Sequence, residues 1–515
     1  MRKADDHMNP PVDPVSAWSP FRHSVFRALW IATVVSNVGT WMQNVGAAWL
    51  MTSLTKSPVL VALVQVATTL PMFLLSLPAG ALADILDRRR LLLVTQAWMT
   101  AAAAILGALT LAGLAGPWSL LALTFMLGLG VALNGPAWQA IVPELVPRRE
   151  LLPAISLNSA GFNLARAVGP AAGGAVVAAA GVGATFVLNA LSFLGVLWVI
   201  YRWRRPVIET TLPGERMLAA MRSGLRYVRH AQKLKAVLIR AGLFMLFSSS
   251  LWALLPLVAR YELGGGPGDY GILLGCFGAG AVGGAVIMPR LQKYVAGEAL
   301  LALMTVLSAA MIAVIALVPL MTVLAAAMLL SGAAWLVVFS SFNVAVQTAV
   351  PAWIRARALS VYMLVFAGGL SAGSVLWGAV ATHRSIRDAL LISALALILS
   401  LLTAFRYRFY LEDPDLSPSL HWPEPHLLLE PHPEQGPILV TVEYLIDPAA
   451  ARSFAQAMRP LNLIRRRDGA IRWGLFQDAA DPGRFLETFM VETWMEHLRQ
   501  HERLTVADQA VEEKV

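Results

Sequence analysis

Long apolar stretches recur along the chain between residues 26 and 404. A stretch of about 17–25 mostly apolar residues is long enough to cross a bilayer as a helix. A helix also satisfies its backbone hydrogen bonds internally, as a membrane-spanning segment must. Only 14% of the residues are charged and the mean hydropathy is +0.64, so the composition agrees. Twelve stretches predict an α-helical polytopic membrane protein: 26–50, 58–80, 91–115, 118–142, 153–179, 183–201, 236–259, 270–289, 299–319, 322–346, 358–381 and 388–404.

The basic residues between these stretches predict how the helices are oriented. Cytoplasmic loops of membrane proteins carry an excess of Lys and Arg. Here the most basic connections all fall on one side of the predicted membrane: Arg88–Arg90, Arg148/Arg149, 202–235, Arg290/Lys293, Arg355/Arg357 and Arg406/Arg408. This pattern predicts that both chain ends are cytoplasmic. The net charge of +9 therefore gives only weak support for nucleic-acid binding.

The first six stretches and the last six resemble each other as internal repeats. With an offset of 208 residues, Gln139–Pro143 falls on Gln347–Pro351 and Gly161 falls on Gly369. We therefore predict two six-helix bundles, which place a binding site near the midplane between them. The predicted parts are a cytoplasmic tail (1–24), a first bundle (25–201), a basic cytoplasmic connection (202–235), a second bundle (236–408), a Pro-rich linker (409–437) and a soluble α+β domain (438–515).

One strongly charged stretch, Gly80–Arg90, joins the second and third predicted helices. Such a stretch can be a topology signal alone, because its arginines hold the turn on the cytoplasmic side. Its spacing resembles the loop signature of the major facilitator superfamily, although Ile85 and Asp87 depart from it. Asp84 can also lie near the N-terminus of an opposing helix, where the helix dipole favours a carboxylate. We predict an ionic latch at the cytoplasmic face, formed by Gly80, Asp84, Asp87, Arg88, Arg89, Arg90 and Glu144.

The fifth predicted helix carries a run of small residues around a proline. Its residues Gly169, Pro170, Gly173 and Gly174 resemble the motif of exporters that work as antiporters. Ordinary close packing of a glycine-rich helix is the alternative. Together with Val38–Gln43, Pro143–Pro147 and Leu157–Arg166, the motif resembles the transmembrane secretion effector group, relatives of the enterobactin exporter and macrolide-efflux proteins. This resemblance implies a major facilitator fold and export of a small amphipathic drug, siderophore or secondary metabolite across the bacterial inner membrane.

Polar side chains inside the predicted helices are the candidates for a substrate pathway: Asn37, Gln43, Asn44, Asn134, Asn163, Arg166, Asn343 and Gln347. Amides at such depths often only tie helices together, at about 0.6 kcal/mol each. Arg166 differs, because a buried guanidinium is costly and normally has a partner. Helix carbonyls, neighbouring amides, Glu144, Asp84 or an anionic substrate are the alternatives. A gating role for Arg166 is narrowly favoured over direct substrate contact.

The energy source is less well defined by the sequence. Proton antiport is implied by the resemblance, yet no acidic residue lies within a predicted span away from its ends. No nucleotide-binding P-loop is present to make ATP the driver. A single cysteine, Cys276, excludes a cysteine metal site, and we expect neither a cofactor nor a metal ion.

The region after the predicted linker has the pattern of a small soluble domain. Alternating residues predict strands at 438–446, 470–478 and 484–492, and helices at 448–467 and from Thr493 onward. This order suggests a ferredoxin-like unit and resembles the antibiotic biosynthesis monooxygenase-like domain, which implies a homodimer formed through the sheet. We favour a structural or regulatory role over catalysis. The alternative is a membrane-tethered oxygenase or ligand sensor whose active part is this domain.

Overall fold

A computed structural model describes residues 16–203, 226–408, 415–419, 421–422 and 432–515. It also leaves out the side chains of Leu77, Gly80, Ala81 and residues 83–85. Most of the predicted N-terminal tail, the middle of the basic connection and most of the linker therefore lie outside the described residues.

Long helices occupy the described chain up to residue 400. They are α1 Ser24–Leu54, α2 Pro58–Ile85, α3 Arg88–Leu111, α4 Pro117–Leu145, α5 Leu151–Ala180, α6 Val182–Arg202, α7 Gln232–Leu257, α8 Pro267–Tyr294, α9 Gly297–Leu317, α10 Met321–Thr348, α11 Arg355–His383 and α12 Ile386–Ser400, followed by the short α13 Thr403–Arg406. Each of the twelve predicted stretches corresponds to one long helix; eight lie wholly within it, and 91–115, 236–259, 299–319 and 388–404 run two to four residues past its C-terminal end.

Local chemistry sets the boundaries of several helices. Pro58, Pro117 and Pro267 occupy the first turn, where a missing backbone N–H costs nothing. Asp87 caps α3 by accepting a hydrogen bond from the backbone N–H of Arg90 at 2.8 Å, and Ser385 caps α12 in the same way. The connections can therefore be short.

Ten segments of the described residues are both long enough and apolar enough to cross a membrane. They include every long helix except α1 and α5. Those two helices have 31 and 30 residues, so length does not set them apart. They carry most of the predicted pathway amides and Arg166, which lowers their apolar character.

The helices form two halves, α1–α6 and α7–α12, that meet through two equivalent pairs. Helix α2 packs against α11, and α5 packs against α8. In the internal repeat α2 corresponds to α8 and α5 corresponds to α11. The two pairs are therefore equivalent, as the repeat requires. At the α5–α8 crossing, a Cβ atom placed on Gly174 would lie 2.8 Å from the Cα of Gly271. Glycine is therefore required for the backbones to approach so closely.

The C-terminal unit, defined here as residues 432–515, contains three strands and three helices. They are β1 Ile438–Leu445, α14 Ala451–Asp468, β2 Arg472–Gln477, β3 Arg484–Val491, α15 Trp494–Arg503 and α16 Val506–Glu512. The antiparallel sheet has the order β1-β3-β2, with Val442 opposite Glu487. The predicted strands and helices are present, with Asp447 capping the first helical turn as expected. This sheet is compatible with a ferredoxin-like unit.

Candidate functional site

A cavity lies between the two halves. It consists of two adjoining voids of about 380 and about 890 Å³, which share the lining residues Trp41, Asn44, Phe162, Arg166 and Phe339. The smaller void lies among α1, α2 and α5 of the first half and α7, α8, α10 and α11 of the second. The larger void continues along α4 and α5 as far as Pro143 and Leu151.

Five of the eight predicted pathway residues line this cavity: Asn37, Asn44, Asn134, Asn163 and Arg166. They come from α1, α4 and α5 of the first half. The Asn134 side-chain oxygen accepts hydrogen bonds from Thr95 and Gln96 at 3.3 Å, which fix its orientation. The first half therefore supplies a polar wall to the cavity.

The other three predicted residues lie elsewhere. Gln43 is buried and accepts a hydrogen bond from Asn189, which ties α1 to α6. On α10, the side-chain nitrogen of Gln347 donates to Asn343 at 2.6 Å. Gln347 lines a separate pocket of about 1040 Å³ beside the C-terminal unit.

Arg166 lies at the centre of the cavity and is only 8% exposed. Its guanidinium carbon is 4.3 Å from the ring centroid of Trp335 and 5.6 Å from that of Phe277. Its Nε atom is buried without a hydrogen-bond partner. Within the described part of the chain Arg166 has no carboxylate partner, so aromatic faces of the second half are the main partners of its charge.

Aromatic side chains of the second half form the wall opposite the amides. Trp252, Tyr270, Trp335, Phe339 and Phe366 all line the smaller void. The rings of Trp335 and Phe339 are stacked with centroids 5.1 Å apart and an angle of 3° between their planes. None of these five residues is among the predicted pathway residues. The spacing of Trp335 and Phe339, one helical turn apart, is the signal that could have indicated a shared face.

The small residues of α5 pack on two sides. A Cβ atom on Gly173 would lie 2.7 Å from the Cα of Met42 on α1, and one on Gly169 would lie 2.5 Å from the Cβ of Trp41. Gly174 faces α8, and Pro170 is buried. The predicted antiporter motif therefore lies where α5 is held between its own half and the other.

One end of the cavity is sealed by contacts between the halves. Arg260, which follows α7, donates hydrogen bonds to the hydroxyls of Thr52 and Ser53 at 3.1 and 2.6 Å. Trp49 stacks on Tyr270 with centroids 6.3 Å apart. We call this the sealed end. The opposite end, which carries Arg88–Arg90, Arg148 and Arg355, is called the basic end, and the larger void extends towards it.

The predicted latch residues lie at the basic end of the first half. Arg88 donates a hydrogen bond to the Glu144 carboxylate at 2.9 Å and thereby joins α3 to α4. Arg89 donates to the backbone oxygens of Ile200 and Tyr201. Asp87 caps α3 through the N–H of Arg90. Gly80 and Asp84 are among the residues whose side chains are not described.

The interior of the C-terminal unit is built around a buried carboxylate. Glu487 is fully buried and accepts hydrogen bonds from Tyr444 at 2.9 Å, Trp473 at 2.8 Å and Arg465 at 3.1 Å. Burial, together with the Glu487 charge, raises the pKa of Tyr444, so the phenol stays a donor. The unit is thus stabilised by a satisfied polar network as well as by apolar contacts.

Trp422 covers the inner face of this unit. Its ring lies 6.3 Å from Phe489 and 5.0 Å from His501, and its indole N–H donates to Glu512 at 3.1 Å. Arg465 stacks on it with 4.6 Å between guanidinium carbon and ring centroid. The space between sheet and helices, where a ligand of this unit would enter, is therefore occupied by a side chain of the chain itself.

The two histidines of α15 also lie here, His497 buried and His501 half-buried. The rings of His497 and His501 are 5.0 Å apart, and burial lowers the pKa of both. Among the described residues no group of three or more His, Cys, Asp or Glu side chains is placed to hold a metal ion.

Two six-helix halves around a cavity that is sealed at one end define a transporter of the major facilitator type. Solved structures have the same fold: the nucleoside transporter NupG superposes with a TM-score of 0.63 at 12% identity over 75% of this chain and 100% of that one. A bacterial homologue of the human lysosomal transporter Spinster, solved inward-facing and unoccupied, gives 0.58 at 15% identity over 76% of this chain and 98% of that one.

The chain belongs to the transmembrane secretion effector family, whose profile matches residues 15–515. It is similar to the staphyloferrin A transporter of Staphylococcus aureus, with 26% identity over 50% of this chain and 65% of that protein, just under two thirds of that relative's length. The multidrug efflux pump Tap of Mycolicibacterium fortuitum is 25% identical over 72% of this chain and 92% of Tap. Macrolide efflux protein A of Streptococcus pyogenes is 22% identical over 52% of this chain and 67% of that protein. The family and these relatives make the chain a multi-pass membrane transporter.

Proposed function

We propose that this chain exports a small amphipathic drug, siderophore or secondary metabolite across the bacterial inner membrane by alternating access. The observation that carries the proposal is the cavity between the two halves, which is lined by amides, all from the first half, and by aromatic side chains of both halves, including all of Trp252, Tyr270, Trp335, Phe339 and Phe366 of the second. Its two faces suit a molecule that is polar on one side and apolar on the other. The relatives, a staphyloferrin A transporter, a multidrug efflux pump and a macrolide efflux protein, support export.

In this proposal the basic end faces the cytoplasm, as do both chain ends. The arginines of the α2–α3, α4–α5 and α10–α11 connections support that orientation. The structure would then correspond to an inward-facing state, because the contacts between halves concentrate from the middle of the helices to the sealed end. The predicted latch would act when the basic end closes, and the Arg88–Glu144 ion pair supports a role for these groups. Export that is unchanged by Asp84→Asn in a correctly inserted protein would argue against the latch.

We propose proton antiport as the coupling mode, on the basis of the exporter resemblance. Among the described residues that line the cavity none is acidic. The carboxylates at the basic end, including Glu144, are therefore the candidates for a proton carrier. In energised vesicles, collapse of the pH gradient with nigericin should stop export. Export that continues without a pH gradient would remove this coupling mode.

A cavity-filling variant tests the export function. Asn44→Trp places a large ring where both voids meet, whereas Val35→Trp on the same helix lies on an exposed face and outside the cavity lining. A deletion strain is screened for drug susceptibility and siderophore secretion, and each variant is tested for complementation. We expect the wild type and Val35→Trp to restore the phenotype and Asn44→Trp to fail at equal membrane abundance. Full complementation by Asn44→Trp would reject transport through this cavity.

For the C-terminal unit we propose a ferredoxin-like, monooxygenase-like domain with a structural or regulatory role, which pairs with a second copy through its sheet. The outer face of the sheet supports pairing, because Leu439, Leu445 and Phe476 are each more than half exposed there. Cross-linking of the intact protein in membranes should yield a dimer, and Leu439→Asp should abolish it. A monomer in the wild type would contradict pairing but not the fold.

A further inference from the structure

We propose that the exported molecule carries a negative charge on a flat apolar body, and that Arg166 binds that charge. This inference rests on the proposed export function and specifies its substrate class. Three observations on the cavity lead to it.

The first observation is the state of the Arg166 charge. Arg166 as a whole residue is 8% exposed, its Nε atom is buried without a hydrogen-bond partner, and the described residues offer it no carboxylate. A charge at this depth is costly unless it meets an opposite one. The rings of Trp335 and Phe277 reduce the cost only in part, because the face of an aromatic ring carries only a partial negative charge. The Arg166 charge therefore still needs an anionic partner.

The second observation is the character of the other lining side chains. Besides Arg166 and the indole N–H groups of its three tryptophans, the smaller void is lined by the polar side chains of Asn44, Gln65, Thr68, Thr69 and Tyr270. All of these are uncharged amides or hydroxyls. The larger void likewise has Arg166 as its single charged lining residue among those described. The cavity thus carries a net positive charge, which repels a cation and attracts an anion.

The third observation is the position of the aromatic wall relative to that charge. Trp335 contacts Arg166 with its face and is stacked on Phe339. Phe366 meets both rings edge to face, at 6.3 and 5.4 Å. An anionic group at Arg166 would therefore place the attached body directly beside a continuous aromatic surface. A flat apolar body buries the most area there.

Three naphthalene probes of matched shape test the charge preference. They are 1-naphthoate, 1-naphthylmethanol and 1-naphthylmethylammonium, titrated calorimetrically into the intact detergent-purified protein with empty micelles as blank. We expect naphthoate to bind at least tenfold more tightly than the alcohol, and the ammonium to bind most weakly. Arg166→Lys should keep part of the preference, and Arg166→Gln should abolish it.

Arg202→Gln is the matched control. Arg202 also lies over a tryptophan ring, 4.6 Å from that of Trp198, but at the end of α6 and outside the cavity. This variant should keep the full preference for naphthoate.

Equal binding of the three probes, or wild-type naphthoate affinity in Arg166→Gln, would overturn the inference. The second result would assign Arg166 to gating. Complementation by the wild type and its loss in Asn44→Trp do not depend on cargo charge. A chain that complements but shows no charge preference therefore keeps the proposed function and loses only this inference.

Discussion

Glu487 shows how one residue can determine the stability of the C-terminal unit. Its carboxylate is fully buried and accepts hydrogen bonds from Tyr444, Trp473 and Arg465. Glu487→Gln removes the fully buried one of the two carboxylates that Arg465 contacts and leaves Glu512 as the other. Removal of one partner of a buried ion pair costs up to about 3–5 kcal/mol. We expect the unit to lose most of its protection in hydrogen–deuterium exchange of the intact protein.

The control for this change is Glu443→Gln. Glu443 pairs with Arg484 on the solvent side of the same sheet, and both side chains are substantially exposed. An exposed pair contributes about 0–1 kcal/mol, so this variant should exchange like the wild type. If both variants behaved alike, the buried network would not be what stabilises the unit.

His497 makes the same unit sensitive to acid. Burial lowers its pKa, although a hydrogen bond to Gln500 opposes part of the shift. Below the ordinary histidine pKa of about 6.5, His497 is protonated in the unfolded chain but stays neutral in the folded unit. The free energy of unfolding of the unit therefore falls as the pH falls through this region. We expect amide exchange in α15, corrected for intrinsic rate, to rise between about pH 7.5 and about pH 5.5.

His497→Gln should reduce that rise, whereas His383→Gln, at the exposed end of α11, should leave it unchanged. An identical pH response in His497→Gln and the wild type would show that another group is responsible.

For single residues, the sequence predicted which polar side chains lie within the membrane-spanning helices, but it did not predict which of them contact each other. Asn44 and Arg166 line the cavity as predicted candidates. Gln43 belongs to the same helix as Asn44, yet faces Asn189 instead of the cavity. Adjacent residues on a helix point about 100° apart, and the helix rotation is set by tertiary packing. The aromatic partners of Arg166 come from the other half of the chain, which local sequence reasoning does not reach.

Among the elements, α5 has the strictest packing requirement. An Ala at Gly174 would place its Cβ 2.8 Å from both the Cα of Gly271 and the backbone oxygen of Pro267. Because backbone atoms cannot give way locally, Gly174→Ala should push α5 and α8 apart at the sealed end. We expect at least a tenfold loss of export and faster amide exchange in α1 and α8 near that end.

Gly195→Ala is the matched control, since a Cβ atom on Gly195 meets nothing within 4 Å. Export by Gly174→Ala at the wild-type rate would mean that the sealed end tolerates separation of the halves.

Helix positions were the most predictable elements, because spans of this length need a continuous apolar run. Helices α1 and α5 were predicted as well, at 26–50 and 153–179, although they are not among the ten segments long and apolar enough to cross a membrane, because their amides, small residues and arginine face the cavity and the neighbouring helices. In the C-terminal unit, alternation predicted all three strands to within two residues at each end. The covering of its inner face by Trp422 was not predictable, since that residue lies in a Pro-rich segment without periodicity.

For the whole molecule, the attachment of the C-terminal unit is the least expected feature. Glu496 of α15 accepts hydrogen bonds from Arg226 at 2.8 Å and from Arg503 at 2.6 Å. Arg503 also lies over the ring of Trp353, with 4.5 Å between guanidinium carbon and centroid, and Arg467 lies over that of Tyr227. These contacts join the unit to the segment before α7 and to the α10–α11 connection.

Glu496→Gln should weaken this attachment. A hydrogen bond to a charged group contributes about 1.5–3 kcal/mol, and both of the bonds to Glu496 would be weakened. We expect amide exchange at residues 226–230 and around Trp353 to increase about tenfold or more, while the sheet stays protected. Glu492→Gln, in the connection between β3 and α15 and exposed, is the control. Unchanged exchange at Trp353 in Glu496→Gln would show that the ion pairs do not hold the unit in place.

The contacts described above join the C-terminal unit to Arg226, Tyr227 and Trp353, which lie in the segment before α7 and in the α10–α11 connection and thus adjoin the second half. Were the halves to rock against each other, the unit would swing with α7–α12 while the Arg90 end of α3 stayed with its own half. Because the C-terminal unit lies far from the cavity, a small rotation of the second half would displace this unit by a larger distance outside the bilayer. A donor and an acceptor fluorophore, one on the unit and one at the start of α3, would then record individual transport cycles without any label on the cargo.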